Sequence, residues 1–483
     1  MANMGFVRNF KPLEILTEEQ IEDIHRGALE ILETTGIKVE GKRAFKVFEK
    51  ADCKIDHDSG IIKVPPGLVV ECIRKCPTSF HMKALDPKND IILGGNRVYF
   101  SLFAGMKAVD LDTWEVRTPT TQDNHDACKI ADGLENVHAS TSYTPYSELC
   151  DQPPSMMIPV TTWSRLKYFS KISRIGTTMG SHTWEIKMAQ AIGVDIYGAL
   201  ESTPPLAYSE SAIGCAIECA QAGFPVEPGC GGSFGGSHPA TVAGSLVAGI
   251  AEVMFGIVLV QLVRSGNPII VNCFDLPQNM RTGSYNFGAI ETALYHASYN
   301  QFWRKRYGIP IMNGGNGPTS SKKIDFQAGY ERSMGILISA LSGVNMINTV
   351  GGLTGELTYD PVMSVIDNDM IGSIGRFIRG VEVADATLAI DLIKQVGPTP
   401  GFFLNTKHTR DWWKKEQFIP KVADKTPYSE WVKMGKKSTL ELARERAKEL
   451  LENYESVLPP DKEEEVDRIL EECRAYYKKQ GLA

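Results

Sequence analysis

Residues 264–275 read RSGNPIIVNCFD, and the fold turns on how this stretch is read. A glycine closes what comes before it, an apolar run follows, and the run ends in polar residues. The same grammar returns in QAGFPVEPG (221–229), RYGIPIMNGG (306–315) and LSGVNMINTVGG (341–352). A glycine just past a helix supplies the left-handed residue that ends it, and a continuous apolar run predicts a strand buried on both faces. Strands are therefore expected to start at Pro225, Pro268, Ile309 and Asn345, about 40 residues apart. Helical stretches such as GAIETALYHASYNQFWRKRY (288–307) and QAGYERSMGILISALS (327–342) lie between them.

Upstream, VHASTSYTP (137–145), SRIGTTMG (173–180) and PPLAYS (204–209) read as further strands, with a first one near Tyr99 to Ala104. Eight strands alternating with helices favour a (β/α)8 TIM barrel over an open doubly wound sheet. Residues 1–95 form a mixed N-terminal extension, 96–390 the barrel and 391–483 a polar helical C-terminal extension. Trp412, Trp413 and Trp431 are expected to pack that extension onto the barrel. The first helix follows a capping box at Thr17 and Gln20, repeats Ile21, Ile24, Ala28, Leu29 and Leu32, and stops at Gly36.

A chain of 483 residues with 43% hydrophobic and 23% charged residues has an ordinary globular composition. A net charge of −7 speaks against general nucleic-acid binding. The N-terminus shows no signal peptide, and the most membrane-like window, 245–263, contains Glu252 and Gln261, so a buried helix explains it better. Ten cysteines without a Cys-x-x-Cys pair read as reduced structural thiols, and the expected location is cytoplasmic.

Residues 229–238, GCGGSFGGSH, invite a nucleotide-loop reading. The spacing is not G-x-G-x-x-G, the stretch about twenty positions on is apolar helix in which Glu252 stands alone, and no Gly-Lys-Ser/Thr ending is present. What remains is a strand-end loop with few side chains, with Ser237 and Pro239 placed to start the next helix. The nine histidines show no metal-ligand spacing, and no tightly bound metal is expected. No G-x-S-x-G marks a nucleophile; Ser233 and His238 are close in sequence but lack an identifiable orienting acid.

In a barrel, chemistry gathers where strands run into their following loops. Phe103, Tyr143, Tyr146, His182, Phe234, Phe274, Arg281, Asn313, Asn316 and Glu356 fall at such positions. Aromatic faces hold quaternary ammonium cations, and arginine grips carboxylates.

The runs 240–270, 279–283 (NMRTG), 321–352 and 365–383 (VIDNDMIGSIGRFIRGVEV), with 15–40 at the N-terminus, resemble the trimethylamine methyltransferase-like family. The resemblance implies a barrel that passes a methyl group from a methylated amine to the Co(I) corrinoid (cobalamin) of a separate small protein. Trimethylamine enzymes of that family carry pyrrolysine, whereas this chain contains ordinary residues only. Members of that kind act on quaternary amines such as glycine betaine, proline betaine, carnitine or γ-butyrobetaine.

On this reading Phe103, Tyr143, Phe234 and Phe274 form the ammonium cage, with Glu356 as charge partner. Arg281, His182 and Asn313 meet the substrate carboxylate. The loops carrying Gly231, Gly232, Gly235, Gly315 and Asn316 face the corrinoid partner. No catalytic acid or base is assigned, a homo-oligomer is expected, and neither membrane nor nucleic acid is a partner. The alternatives are a betaine-binding sensor without turnover and a methyltransferase for a different methylated amine.

Overall fold

A computed structural model describes residues 5–315 and 317–482. Eight parallel strands close on themselves: β1 (Arg97–Leu102), β2 (Ala139–Ser140), β3 (Ile172–Ile175), β4 (Ile196–Glu201), β5 (Val226–Cys230), β6 (Val271–Cys273), β7 (Ile311–Asn313) and β8 (Met346–Val350). β8 pairs with β1, Met346 opposite Tyr99, which completes a (β/α)8 barrel. Phe6–Val7 adds an antiparallel strand to β1.

The helix α1 (Glu18–Thr34) precedes the barrel, and both halves of its Thr17–Gln20 capping box are made. Each barrel strand is followed by a helix: α2 (Thr121–Asp132), α3 (Pro154–Tyr168), α4 (His182–Ile192), α5 (Glu210–Ala222), α6 (Val242–Val263), α7 (Ile290–Arg306), α8 (Phe326–Ser342) and α9 (Pro361–Ile378). Gly223, Gly266, Gly308 and Gly343, which introduce β5 to β8, all have positive φ. There a side chain would strain the backbone, so the turn out of each helix needs glycine.

One predicted strand is misplaced. PPLAYS contributes only Ala207–Tyr208, and it pairs with Ile37–Val39 in a small N-terminal sheet outside the barrel. The fourth barrel strand is Ile196–Glu201, paired with β3 and β5. The helix start at Ser237 and Pro239 is also corrected: Thr241 caps α6, its side chain accepting from Gly244 N.

The period-2 alternation of the strands divides the barrel into two cores. Phe100, Leu102, Ile175, Ile196, Leu200, Val226, Val271, Ile311 and Ile347 point outward into the layer shared with the helices. Tyr99, Ala139, Ile172, Tyr197, Ile270, Met312 and Met346 point inward and pack with Met82, Ala84, Ile91 and Leu93. The last four belong to an antiparallel hairpin, 79–94, that plugs the N-terminal end. With that end sealed by apolar side chains, a ligand can enter only from the C-terminal face.

α6 is long and apolar enough to cross a membrane by length and composition, but it is mostly buried inside the protein. After α9 the chain crosses the surface in short helices, buries Val422 where Asp369 of α9 accepts from the 421–423 backbone, and packs again in α10 (Thr439–Glu452) and α11 (Pro460–Lys479). The anchors of these two helices are Ala443, Ala447, Val466, Ile469, Leu470, Cys473 and Tyr477, all buried with the main core. Trp412, Trp413 and Trp431 do not perform that task. They are exposed or half-buried, and their ring contacts are with His408, Lys414, Lys415 and Tyr428 of the same segment. The anchoring falls to helices that carry an apolar stripe, which the tryptophan segment lacks.

Candidate active site

One step further along five of the strands from the apolar plug, the inward positions turn polar. Ser101 on β1, Arg174 on β3, Glu227 on β5, Asn272 on β6 and Asn348 on β8 form a buried layer. Arg174 Nε lies 2.6 Å from Glu227 and its Nη2 2.5 Å from Glu201. Asn272 Nδ2 donates to Glu227 at 2.6 Å, and Ser101 donates to Asn348. Burial pushes Glu227 up to about 8; Arg174 pulls it down, Glu201 adds to the rise, and the Asn272 hydrogen bond lowers it.

Above this layer lies a cavity of about 210 Å³. Arg174, Asn272 and Asn348 form its floor. Phe103 and Phe274, with ring centroids 6.1 Å apart, stand on its wall together with Tyr143 and Tyr285. Glu201 and Glu356 face it near the mouth. Glu201 is half exposed and holds Arg174. The Glu356 carboxylate has no hydrogen-bonding or ion-pair partner among the described residues. Burial, and next the charge of Glu201, raise Glu356 to about 7, with Arg174 opposing.

The cavity shares Ala104, Tyr143, Glu201 and Glu356 with an outer, mostly apolar chamber of about 530 Å³, lined also by Met106, Met157, Ile158 and Met179. Charged and aromatic groups thus surround the inner space, and flexible thioethers surround its approach.

Of the residues expected from sequence, Phe103, Tyr143, Phe274, Glu356 and Gly231 line the inner cavity. Phe234 is buried against Tyr295, ring centroids 5.3 Å apart, and does not line it. Tyr146 packs edge-on against Tyr359. The three residues assigned to a carboxylate are not brought together. His182 opens α4 beside a separate groove, 3.4 Å from Glu218. Arg281 is exposed, in a turn that Asn279 caps. Asn313 is buried and pairs its amide with Asn300. Asn316 lies outside the described residues. The cavity's own cation is Arg174, which the sequence reading passed over although it stands as a lone charge inside the SRIGTTMG run.

The glycine loop acquires a structural explanation. His238 folds back beneath it, donating from Nδ1 to Asp275 at 2.6 Å, with Nε2 3.2 Å from Glu252. A Cβ on Gly232 would overlap the His238 ring, and one on Gly236 would overlap Gln278 and Ser233. Burial lowers the imidazole's pKa, but the hydrogen bonds and charges of Asp275 and Glu252 outweigh it and raise it to about 10. A doubly protonated His238 therefore ties β5, β6 and α6 together. Gly315 likewise sits against the His296 ring, whereas Gly235 is exposed, with positive φ.

Two buried arginines hold other strand ends. Arg165 of α3 donates to the carbonyls of Ser142, Thr144 and Arg174. Arg332 of α8 pairs with Asp367 of α9 and donates to the carbonyls of Thr349 and Gly352.

Comparison with known proteins bears on this geometry. A family model described as Trimethylamine methyltransferase (MTTB) matches residues 2–476. A glycine betaine methyltransferase from Desulfitobacterium hafniense (strain Y51) is 31% identical over 95% of this chain and 95% of its own length. A trimethylamine methyltransferase, MttB, from strain DCB-2 of the same species is 30% identical, covering 92% of this chain and 91% of its own. The crystal structure of the Methanosarcina barkeri monomethylamine methyltransferase MtmB is similar to it at 14% identity and a TM-score of 0.44, covering 89% of this chain and 92% of that one.

Proposed function

The chain belongs to the trimethylamine methyltransferase (MTTB) family, and from that premise we propose that it moves a methyl group from a quaternary amine to the Co(I) of a cognate corrinoid protein. The observation that carries this reading is the juxtaposition of Phe103, Phe274, Tyr143 and Tyr285 with Glu201 and Glu356 around one cavity open at the C-terminal face. Aromatic faces and carboxylates stabilise a cation that carries its charge on methyl groups and offers no hydrogen-bond donor. A betaine carboxylate has no dedicated clamp here, so betaines remain in the class through their ammonium end.

The chain's task in this reaction is positional. As the C–N bond breaks, its electron pair stays on nitrogen and a neutral tertiary amine leaves, so no proton needs to be delivered. The lack of pyrrolysine accords with that chemistry. Arg174, tied by Glu201 and Glu227, keeps the floor rigid. The aromatic wall orients the ammonium and keeps water from its inner face, so one methyl can be held toward the mouth. The corrin ring of the partner would approach through the outer chamber, where Met106, Met157 and Met179 offer a pliable apolar rim. Bound there, the group would supply a reduced cobalt nucleophile, while the chain's own residues hold the methyl toward it.

A homo-oligomer is part of the proposal, because the surface segment after α9 leaves Val381, Leu388, Ile393 and Leu404 exposed.

The test mixes the purified protein with a corrinoid protein reduced to Co(I) and follows the cobalt spectrum with quaternary amines and trimethylamine. Loss of the Co(I) spectrum with a quaternary amine is expected. Binding without any spectral change would favour a sensor, and response to trimethylamine alone would overturn the quaternary-amine reading.

A further inference from the structure

The cavity also constrains the substrate's other end. Resting on the function proposed above, we propose that the substrate is a quaternary ammonium compound with a neutral, hydrogen-bond-donating tail, of the choline type, rather than one with a carboxylate beside the nitrogen.

The first argument is charge. Among the described residues Arg174 is the one cation lining the cavity, against Glu201 and Glu356 on the same walls and Glu227 just below. Arg174 is already bound by two carboxylates, Glu201 at 2.5 Å and Glu227 at 2.6 Å. Even with Glu227 protonated, Arg174 and Glu201 cancel, and Glu356 leaves no positive remainder. An ammonium group meets two carboxylates; a carboxylate one carbon away from it meets the same two. Like charges at such short range in a partly buried site cost more than an exposed pair would.

The second argument is the floor. Asn272 spends its Nδ2 on Glu227, which leaves Oδ1 directed toward Gly314. That oxygen is buried with no hydrogen-bond partner among the described residues. The Glu227 oxygen to which Nδ2 donates also accepts from Arg174 at 3.1 Å, and that shared acceptor fixes the amide orientation. A buried acceptor without a donor is costly. A hydroxyl donates to it; a carboxylate presents a second acceptor. The layout also gives the molecule a direction. The carboxylates lie near the mouth and Asn272 on the floor, so the ammonium methyls face the outer chamber and the tail points inward.

Calorimetric titration of the full-length protein at pH 8 with choline, tetramethylammonium, glycine betaine and trimethylamine tests this. Choline is expected to bind at least tenfold more tightly than glycine betaine, with tetramethylammonium also tighter than the betaine. Glu201→Gln, at a half-exposed position, is expected to weaken choline about tenfold and to narrow the choline-to-betaine ratio. Asn272→Leu is expected to bring choline down to the affinity of tetramethylammonium. Glycine betaine binding as tightly as choline to the unsubstituted protein, or Glu201→Gln weakening both equally, would overturn the inference. Glycine betaine binding best and discharging the Co(I) spectrum would overturn it while leaving the methyltransferase proposal standing. Binding of none of the four would overturn both.

Discussion

Glu356 follows β8 by only a few residues, yet no described residue pairs with its carboxylate. With burial and Glu201 lifting it to about 7, its ionisation falls inside the working pH range. Below that value the carboxyl is protonated and offers a cation no charge; above it the carboxylate is present. The Michaelis constant for a quaternary amine should therefore fall severalfold from pH 6 to pH 8 and level off above. Glu356→Gln should hold it high and leave only the shallower dependence that Glu227, pushed up to about 8 beneath the floor, imposes near the top of that range; steady-state kinetics across it decide the matter. The titratable groups around Glu356 are Glu201, Arg174, Tyr143, Tyr285 and, beneath the floor, Glu227; Arg174 and the two tyrosines do not titrate between those limits, whereas Glu227 reaches its midpoint at the upper one. Glu356, Phe103, Tyr143 and Phe274 were legible in the sequence because each stands where a strand gives way to its loop. Arg174, Asn272 and Asn348 were not, because they sit inside the apolar runs. The available signal was alternation: Ile172 then Arg174, Ile270 then Asn272, Met346 then Asn348 place a polar residue two positions after each plug residue. Arg281 and His182 were read into the site because charge in a loop looks functional when nothing shows which way the loop turns.

Elements were more legible than side chains. The glycine-led runs identified β5 to β8 because a helix ending in a left-handed glycine and a strand buried on both faces leave a clear mark. β4 carries that mark as well, Gly193 at positive φ followed by Val194 and Ile196. It was overlooked in favour of PPLAYS, whose apolar pair belongs to the neighbouring sheet. The strand-end clamps left no pattern, since a buried arginine and its carbonyl partners meet only through tertiary structure. Arg332 is the one to test. It bridges α8, Asp367 of α9 and the carbonyls that end β8, the segment leading to Glu356. Arg332→Met leaves Asp367 as a buried charge without its partner and should cost about 3–5 kcal/mol, read from the urea unfolding midpoint. Adding Asp367→Leu should restore only part of that loss, because the Thr349 and Gly352 carbonyls stay without their donor. Full restoration would reduce Arg332 to a simple ion pair.

At the scale of the molecule, the C-terminal helix reaches back to the mouth of the barrel. α11 buries Val466, Ile469, Leu470 and Cys473 against the barrel's helical layer. It is also pinned to α3 by Asp467, which accepts from Trp163 Nε1 at 2.6 Å and from Lys167. Near its end, the Tyr477 hydroxyl donates to the carbonyl of Met179 at 3.0 Å. Met179 has φ of +53°, a conformation that a residue with a side chain holds only when its surroundings impose it, and it lines the outer chamber. The hydrogen bond from α11 is one of those impositions. Tyr477→Phe removes that single donor, keeps the ring, and should cost on the order of 1 kcal/mol in stability. If the outer chamber receives the corrinoid partner, the loss is felt there. The Michaelis constant for the corrinoid protein should rise severalfold, while calorimetric affinity for a quaternary amine stays unchanged, because the inner cavity does not touch Met179. An equal loss of both would mean that α11 supports the barrel as a whole. No change in either would separate the Met179 turn from partner docking.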